Sequence, residues 1–243
     1  MLIKRLYDKI IGVRLIELLI LVLIYSCEKT VPLIYPDYTG EKGIIYDIEG
    51  NKYKTIGIGS QIWMAENLRS TRLNDNTEIK YLKDSLDWIA ISVPGYCWYD
   101  NDTLLKIPYG GLYNWGAVNT EKLCPTGWHI PSEGEWRALV TRLGGENVAG
   151  GKLKVIGTDY WISPNSGATN SSKFNAVPSG GVFNSHFLSL GKWGHWWSST
   201  KNETSKITTL DLLNSIPGVL IGSSAKTYTH GLSVRCIKNH TVE

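Results

Sequence analysis

Residues 131–145 constrain the fold more than any other stretch of the chain. Pro131 precedes Ser132, and Glu135 stands three residues further on. In that arrangement a serine hydroxyl and a glutamate carboxylate each satisfy a backbone amide that the first turn of a helix leaves orphaned. Trp136, Leu139, Val140 and Leu143 then fall at the spacing of one buried helical face. Gly144-Gly145 closes the helix, because glycine accepts the left-handed backbone of a C-terminal cap.

Short β-type runs flank this helix. Ile44, Ile45 and Tyr46 lead into a turn at Glu49-Gly50-Asn51, and Tyr53, Thr55, Ile56 and Ile58 supply the alternating return strand. Gly59-Ser60 turns the chain again into Gln61-Ile62-Trp63-Met64, and Leu112, Trp115 and Val118 predict a short helix within 110–119. Residues 146–190 are rich in Gly, Ser, Asn and Pro with little periodicity, which predicts a long loop region of the kind that carries function. Strands return at 196–199, 207–212, 219–221 and 233–237. Neighbours on a strand point to opposite faces, so Trp196-Trp197 predicts one ring in the core and one outside.

Ten Trp and thirteen Tyr stand against three Phe, with 25 Gly. Trp and Tyr join an apolar body to a polar tip and suit half-buried positions and ligand platforms. The picture is of many tight turns around an aromatic core. The net charge of +3 includes a basic N-terminus, so the remainder is close to neutral. Without a basic stripe there is nothing to neutralise a phosphate backbone, and nucleic acid is excluded as a partner.

Lys4, Arg5, Lys9 and Arg14 are followed by an apolar run from Leu15 to Ile24, broken by Glu17, and then by Tyr25-Ser26-Cys27. This order resembles a bacterial lipoprotein signal with its lipobox. The resemblance implies cleavage before Cys27, acylation of its thiol and attachment to the membrane through lipid. Two or more acyl chains anchor stably, at about 0.8 kcal/mol per buried methylene. An uncleaved transmembrane anchor and ordinary secretion are the alternatives. The run is shorter than the ~20 residues of a span, and Glu17 would lie in lipid. The expected organisation is a signal over residues 1–27, a flexible tether over 28–43 and one domain over 44–239. Glu28 and Lys29 resemble the charged export signals of Bacteroidetes surface lipoproteins, which implies a surface-exposed outer-membrane protein.

Five motifs occur in order: Trp63-Met64-Ala65-Glu66-Asn67-Leu68, Tyr113-Asn114-Trp115, Cys124-Pro125-Thr126-Gly127-Trp128-His129-Ile130-Pro131-Ser132, Trp196-Trp197-Ser198-Ser199 and Ser233-Val234-Arg235-Cys236. Together they resemble the Fibrobacter succinogenes major paralogous domain of surface lipoproteins, over about residues 44–239. The stretch from Trp128 to Trp136 is also similar to the strand-to-helix signature of the formylglycine-generating enzyme superfamily. The resemblance implies an α+β, C-type-lectin-like fold, in which two helices flank a small twisted antiparallel sheet and long loops build a binding face. By the same analogy Cys124 pairs with Cys236, leaving Cys97 over. Three free buried thiols are the alternative, and the chain has no closely spaced Cys/His metal pattern. The formylglycine-generating enzymes hold copper with a cysteine pair that has no match here, so their activity does not carry over.

No catalytic constellation stands out. The five histidines make no HxxxH or HExxH, and neither a GxSxG elbow nor a P-loop is present. His129, between Trp128 and Ile130, reads as a structural histidine. Glu135 is accounted for by the capping box and Glu133 by the positive end of the helix dipole. Asn74-Asp75-Asn76 reads as a turn, with calcium as the competing reading and no other cofactor expected. Asp84-Ser85-Leu86 and Asp102-Thr103-Leu104 resemble the O-glycosylation acceptors of Bacteroidetes envelope proteins. The candidate ligand-binding residues are Trp193, His195, Tyr228 and His230, the aromatic remnant of a segment that is otherwise aliphatic here. The expected function is non-enzymatic binding of a glycan or surface protein. An enzyme or enzyme accessory of the formylglycine-generating group, and a structural part of a surface assembly, are the competing readings.

Overall fold

The structure, a computed structural model, describes residues 36–89, 93–201, 206–223 and 229–239. The expected signal and acylation site at Cys27 lie outside the described residues, as do Tyr228 and His240. The described chain is of mixed α+β class, mostly antiparallel sheet with few helices.

The largest sheet orders β1 (Lys42–Tyr46), β2 (Lys52–Ile58), β3 (Gln61–Met64), β13 (Ile237–Lys238) and β7 (Trp128–His129). The end of the chain is therefore threaded between its beginning and its middle. The turn joining β1 to β2 is tied by Asp47, whose carboxylate accepts from the Asn51 amide at 2.9 Å and from the Tyr53 hydroxyl at 2.7 Å. Residues 36–41 already run along β2: the Tyr38 amide donates to Gly59 O and the Gly57 amide to Glu41 O, both at 2.7 Å. A second sheet orders β10 (Trp193–Lys201), β11 (Ile207–Leu213) and β12 (Val219–Ser223). Smaller sheets join β4 (Lys80–Tyr81), β5 (Gly95–Cys97) and β6 (Leu112–Tyr113), and pair β8 (Gly181–Phe183) with β9 (His186–Leu188).

The helices are α1 (Ser85–Ile89), α2 (Lys106–Tyr109), α3 (Trp115–Val118), α4 (Glu133–Arg142) and α5 (Ala149–Leu153). Only α4 exceeds five residues among those described. Its capping box is complete: the Glu135 amide donates to Ser132 Oγ at 3.3 Å, and the Ser132 amide to Glu135 Oε2 at 2.8 Å. Its buried face carries Trp136, Leu139 and Val140.

Of the three buried clusters among the described residues, the two largest are built around aromatic rings. In one, Trp63 stacks on Trp136 at 4.7 Å, with Phe174 edge-on at 5.8 Å from Trp63. In the other, Trp115 meets Trp197 edge-on at 5.7 Å, beside Tyr96, Tyr113 and Cys124. Strand β10 runs between them. Trp196 faces the first core and Trp197 the second, and both are 0% exposed. This corrects the expectation that one of the two rings lies outside. The rings do point to opposite faces, but each face of β10 is covered.

The expected loop-dominated region over 146–190 also contains short elements that its lack of periodicity did not reveal. The region holds α5 and the β8–β9 hairpin. Helix α5 shows no apolar periodicity because Gly150 and Gly151 fill it, and a Cβ on either would collide with a backbone carbonyl, Gly218 O or Gly167 O. Close backbone approach, rather than an apolar stripe, places this helix. The rest of the region is anchored by Lys154, whose buried ammonium donates to Ser166 O, Leu213 O and Ile216 O, each at 2.9 Å. Burial pushes the Lys154 pKa down to about 8, while three carbonyl acceptors satisfy every proton of the charged form.

Candidate functional site

The ordered sequence motifs converge on one buried polar node. Asn67 Oδ1 accepts from Arg235 Nη2 at 2.7 Å, from Arg235 Nε at 3.1 Å and from Trp196 Nε1 at 2.9 Å. Asn67 Nδ2 donates to Tyr109 O at 2.8 Å. Arg235 is fully buried, donates also to Met64 O and Phe174 O, and lies 4.3 Å over the Phe174 ring. The remaining motifs attach nearby. Trp197 Nε1 donates to Tyr113 O at 2.7 Å, Trp136 Nε1 to Trp197 O at 3.4 Å, and Cys124 is bonded to Cys236. Asn114 caps α3 by accepting from the Ala117 amide at 2.8 Å. Polar residues of the ordered motifs are thus spent on architecture.

The candidate binding residues come together in part. Trp193 and His195 share one face of β10, their rings stacked at 5.2 Å and 19°. His195 Nδ1 lies 2.9 Å from Asp211 Oδ1 on the facing residue of β11. Phe183 packs edge-on between His195, at 5.3 Å, and His230, at 4.9 Å. His195 and His230 are buried, while Trp193 and Phe183 are half-buried. Phe183 and Asp211 were missed from sequence. Asp211 becomes visible only through the β10–β11 register, and Phe183 through the position of the β8–β9 hairpin.

Other candidate residues have structural roles. His129 Nε2 lies 2.8 Å from Glu135 Oε1, and its Nδ1 lies 2.6 Å from Asn239 Oδ1. The hydrogen bond with Glu135 raises the His129 pKa against the effect of burial. Burial favours the neutral Glu135 carboxyl, but hydrogen bonds from His129 and Ser132 outweigh it and bring its pKa below the usual range. Glu133 accepts from Arg137 at 2.8 Å and from Thr208 at 3.0 Å. Asn74-Asp75-Asn76 is a turn, closed by the Leu73 amide on Thr77 O at 2.9 Å. The Asp75 carboxylate pairs with Lys122 at 2.9 Å, so a cation there would have to displace the lysine.

The described residues contain no group of three or more His, Cys, Asp or Glu able to hold a metal ion. Copper held by a cysteine pair does not fit either: Cys124 and Cys236 are bonded to each other, and Cys97 is a buried free thiol whose pKa is raised by burial. In the two glycosylation-like triplets the leucines are exposed, Leu86 by 75% and Leu104 by 82%. No described helix is long and apolar enough to cross a membrane.

These features define a small α+β domain stapled by one disulfide and organised around a buried arginine. The model of the Fibrobacter succinogenes major domain matches residues 56–238, and the chain belongs to that family. Comparison with curated proteins and with solved structures finds no match.

Proposed function

We propose that this chain is a lipoprotein of the bacterial outer surface, anchored at Cys27, whose domain adopts a C-type-lectin-like architecture and binds a glycan without transforming it. The observation that carries this reading is the fixed geometry of Trp193. Its half-buried ring is stacked on an imidazole that Asp211 and Phe183 hold in place. A ring immobilised before binding loses little further entropy when a ligand stacks on it, and an indole offers a broad apolar face to the C–H side of a sugar. The basic, apolar and cysteine order of residues 1–27 supports the anchor.

The test is a glycan array probed with the full-length protein and with Trp193→Ala. Loss by the variant of specific binding to at least one glycan is the expected result. A glycan profile that Trp193→Ala leaves wholly unchanged overturns the site, and an array without any binding shifts the ligand to a protein partner. Labelling with a radioactive fatty acid, abolished by Cys27→Ser, tests the anchor separately.

A further inference from the structure

A second surface, sharing no lining residue with the Trp193 face, forms a groove of small-ligand size. Thr71, Arg72, Glu78, Lys80, Tyr81 and Tyr96 line an open groove of about 570 Å³, within the ~300–1,000 Å³ of small-molecule sites. One wall is a tight hairpin over 71–79, closed by the Leu73 amide on Thr77 O and the Ile79 amide on Thr71 O, both at 2.9 Å. Arg72 and Glu78 face each other across it as an ion pair of 2.5 Å. Glu49, from the β1–β2 turn, braces this wall by accepting from the Thr71 hydroxyl at 2.6 Å. The other wall is the parallel pair β4–β5, which sets Tyr81 beside Tyr96. Their rings meet edge-on at 5.3 Å and 65°, forming an aromatic corner. The Tyr81 hydroxyl donates to Asn101 Oδ1 at 3.1 Å, so the half-exposed ring is pinned.

The charges on this lining select the ligand. Arg72 is matched by Glu78, and Lys80 is matched by Asp87 at 2.7 Å. Each cation already has its carboxylate, and the Glu49 carboxylate beside Thr71 adds a further negative charge, so the groove has no unmatched cation to attract an anion. It does offer adjacent N–H donors and carboxylate acceptors beside an aromatic face. A hydroxyl both donates and accepts, and a pyranose carries several hydroxyls around an apolar C–H face. We propose that this groove binds a short neutral oligosaccharide, with Tyr81 as the stacking ring and the Arg72–Glu78 pair reading vicinal hydroxyls. This site stands whether or not the Trp193 surface binds anything.

Backbone amide chemical shifts of the full-length, isotopically labelled protein test it. The probes are maltotriose, cellotriose, mannotriose and xylotriose, with trigalacturonate as the anionic control. At least one neutral trisaccharide is expected to shift the amides of 71–81 and 95–98, and trigalacturonate to bind more weakly. Tyr81→Ala should weaken that binding about tenfold or more, and Glu78→Gln should weaken it in the same direction. Trp193→Ala should leave it unchanged. The Glu78 side chain is 78% exposed, so its replacement leaves the fold intact as a second, independent variant. The proposal is overturned if no neutral trisaccharide moves these amides up to about 10 mM, if the shifts survive Tyr81→Ala, or if the anionic sugar binds more tightly.

Discussion

A single oxygen, Oδ1 of Asn67, receives two N–H groups of the fully buried Arg235 guanidinium, at 2.7 and 3.1 Å. The hydrogen-bond partners of this cation are the Asn67 amide and backbone carbonyls. A guanidinium keeps its charge at any ordinary pH, so removing the Asn67 oxygen leaves buried N–H groups of a cation without that acceptor. Asn67→Ala is therefore expected to cost about 1–3 kcal/mol or more, a sizeable share of a typical domain's ~5–15 kcal/mol. Arg235→Met removes the charge together with its needs and should cost less. Urea unfolding midpoints should fall in the order wild type, Arg235→Met, Asn67→Ala. The reverse order of the two variants would show that Asn67 is not the chief acceptor.

The Cys124–Cys236 disulfide closes a loop of 112 residues, joining the segment before β7 to the segment before β13. Replacing both cysteines by alanine should lower stability by about 2–4 kcal/mol, against a chain-entropy ceiling of about 5 kcal/mol. Alkylation under denaturing, non-reducing conditions should modify only Cys97 of Cys97, Cys124 and Cys236. After reduction it should modify all three, and mass spectrometry counts them.

Gly151→Ala puts local preference and tertiary packing in opposition. Alanine is the better helix former by about 1 kcal/mol, yet its Cβ would be driven into Gly167 O. Overpacking against backbone typically costs about 1–3 kcal/mol, and the carbonyl cannot turn aside as a flexible side chain would. Thermal unfolding should show a lower Tm. A rise would mean that the loop around Gly167 yields freely.

His129 makes stability depend on pH with a definite sign. Its folded pKa is raised above 6.5, first by the hydrogen bond to Glu135, so the native state binds the proton more tightly than the unfolded chain does. That contribution is complete below the unfolded pKa and is lost as pH rises through the folded value. The Tm gap between wild type and His129→Gln should be larger at about pH 5.5 than at about pH 8.5. Equal gaps would show that the imidazolium contributes nothing.

The capped helix was legible because its signals are local: Ser132, Glu135 and an apolar stripe lie within about three turns. The β1–β2–β3 strands were legible for the same reason. Trp193 and His195 stood out in the sequence as aromatic residues beside an aliphatic segment, and the structure adds that they share a face as alternate residues of one strand. What could not be read depends on pairing across long distances in the chain. Asn67 and Arg235 lie 168 residues apart, and an arginine in sequence reads as surface until its acceptors are placed. Helix α5 was hidden because its interior glycines carry no periodic signal. The groove was hidden because its walls come from a hairpin, a parallel strand pair and a turn, none with a motif of its own.

Strand β10 carries its own safeguard against misalignment in its two adjacent tryptophans. Because side chains alternate, a slip of one residue would send each strand position to the opposite face. At Trp196 and Trp197 such a slip would carry one indole into the other's place and bring His195 or Ser198 to the place left behind, so one of the two cores would lose its ring. The indole N–H groups add a second check: one finds an amide oxygen at Asn67, the other a main-chain carbonyl at Tyr113. The correct alignment at these two positions is therefore specified by polarity as well as by volume, in the stretch of the strand that is buried on both faces.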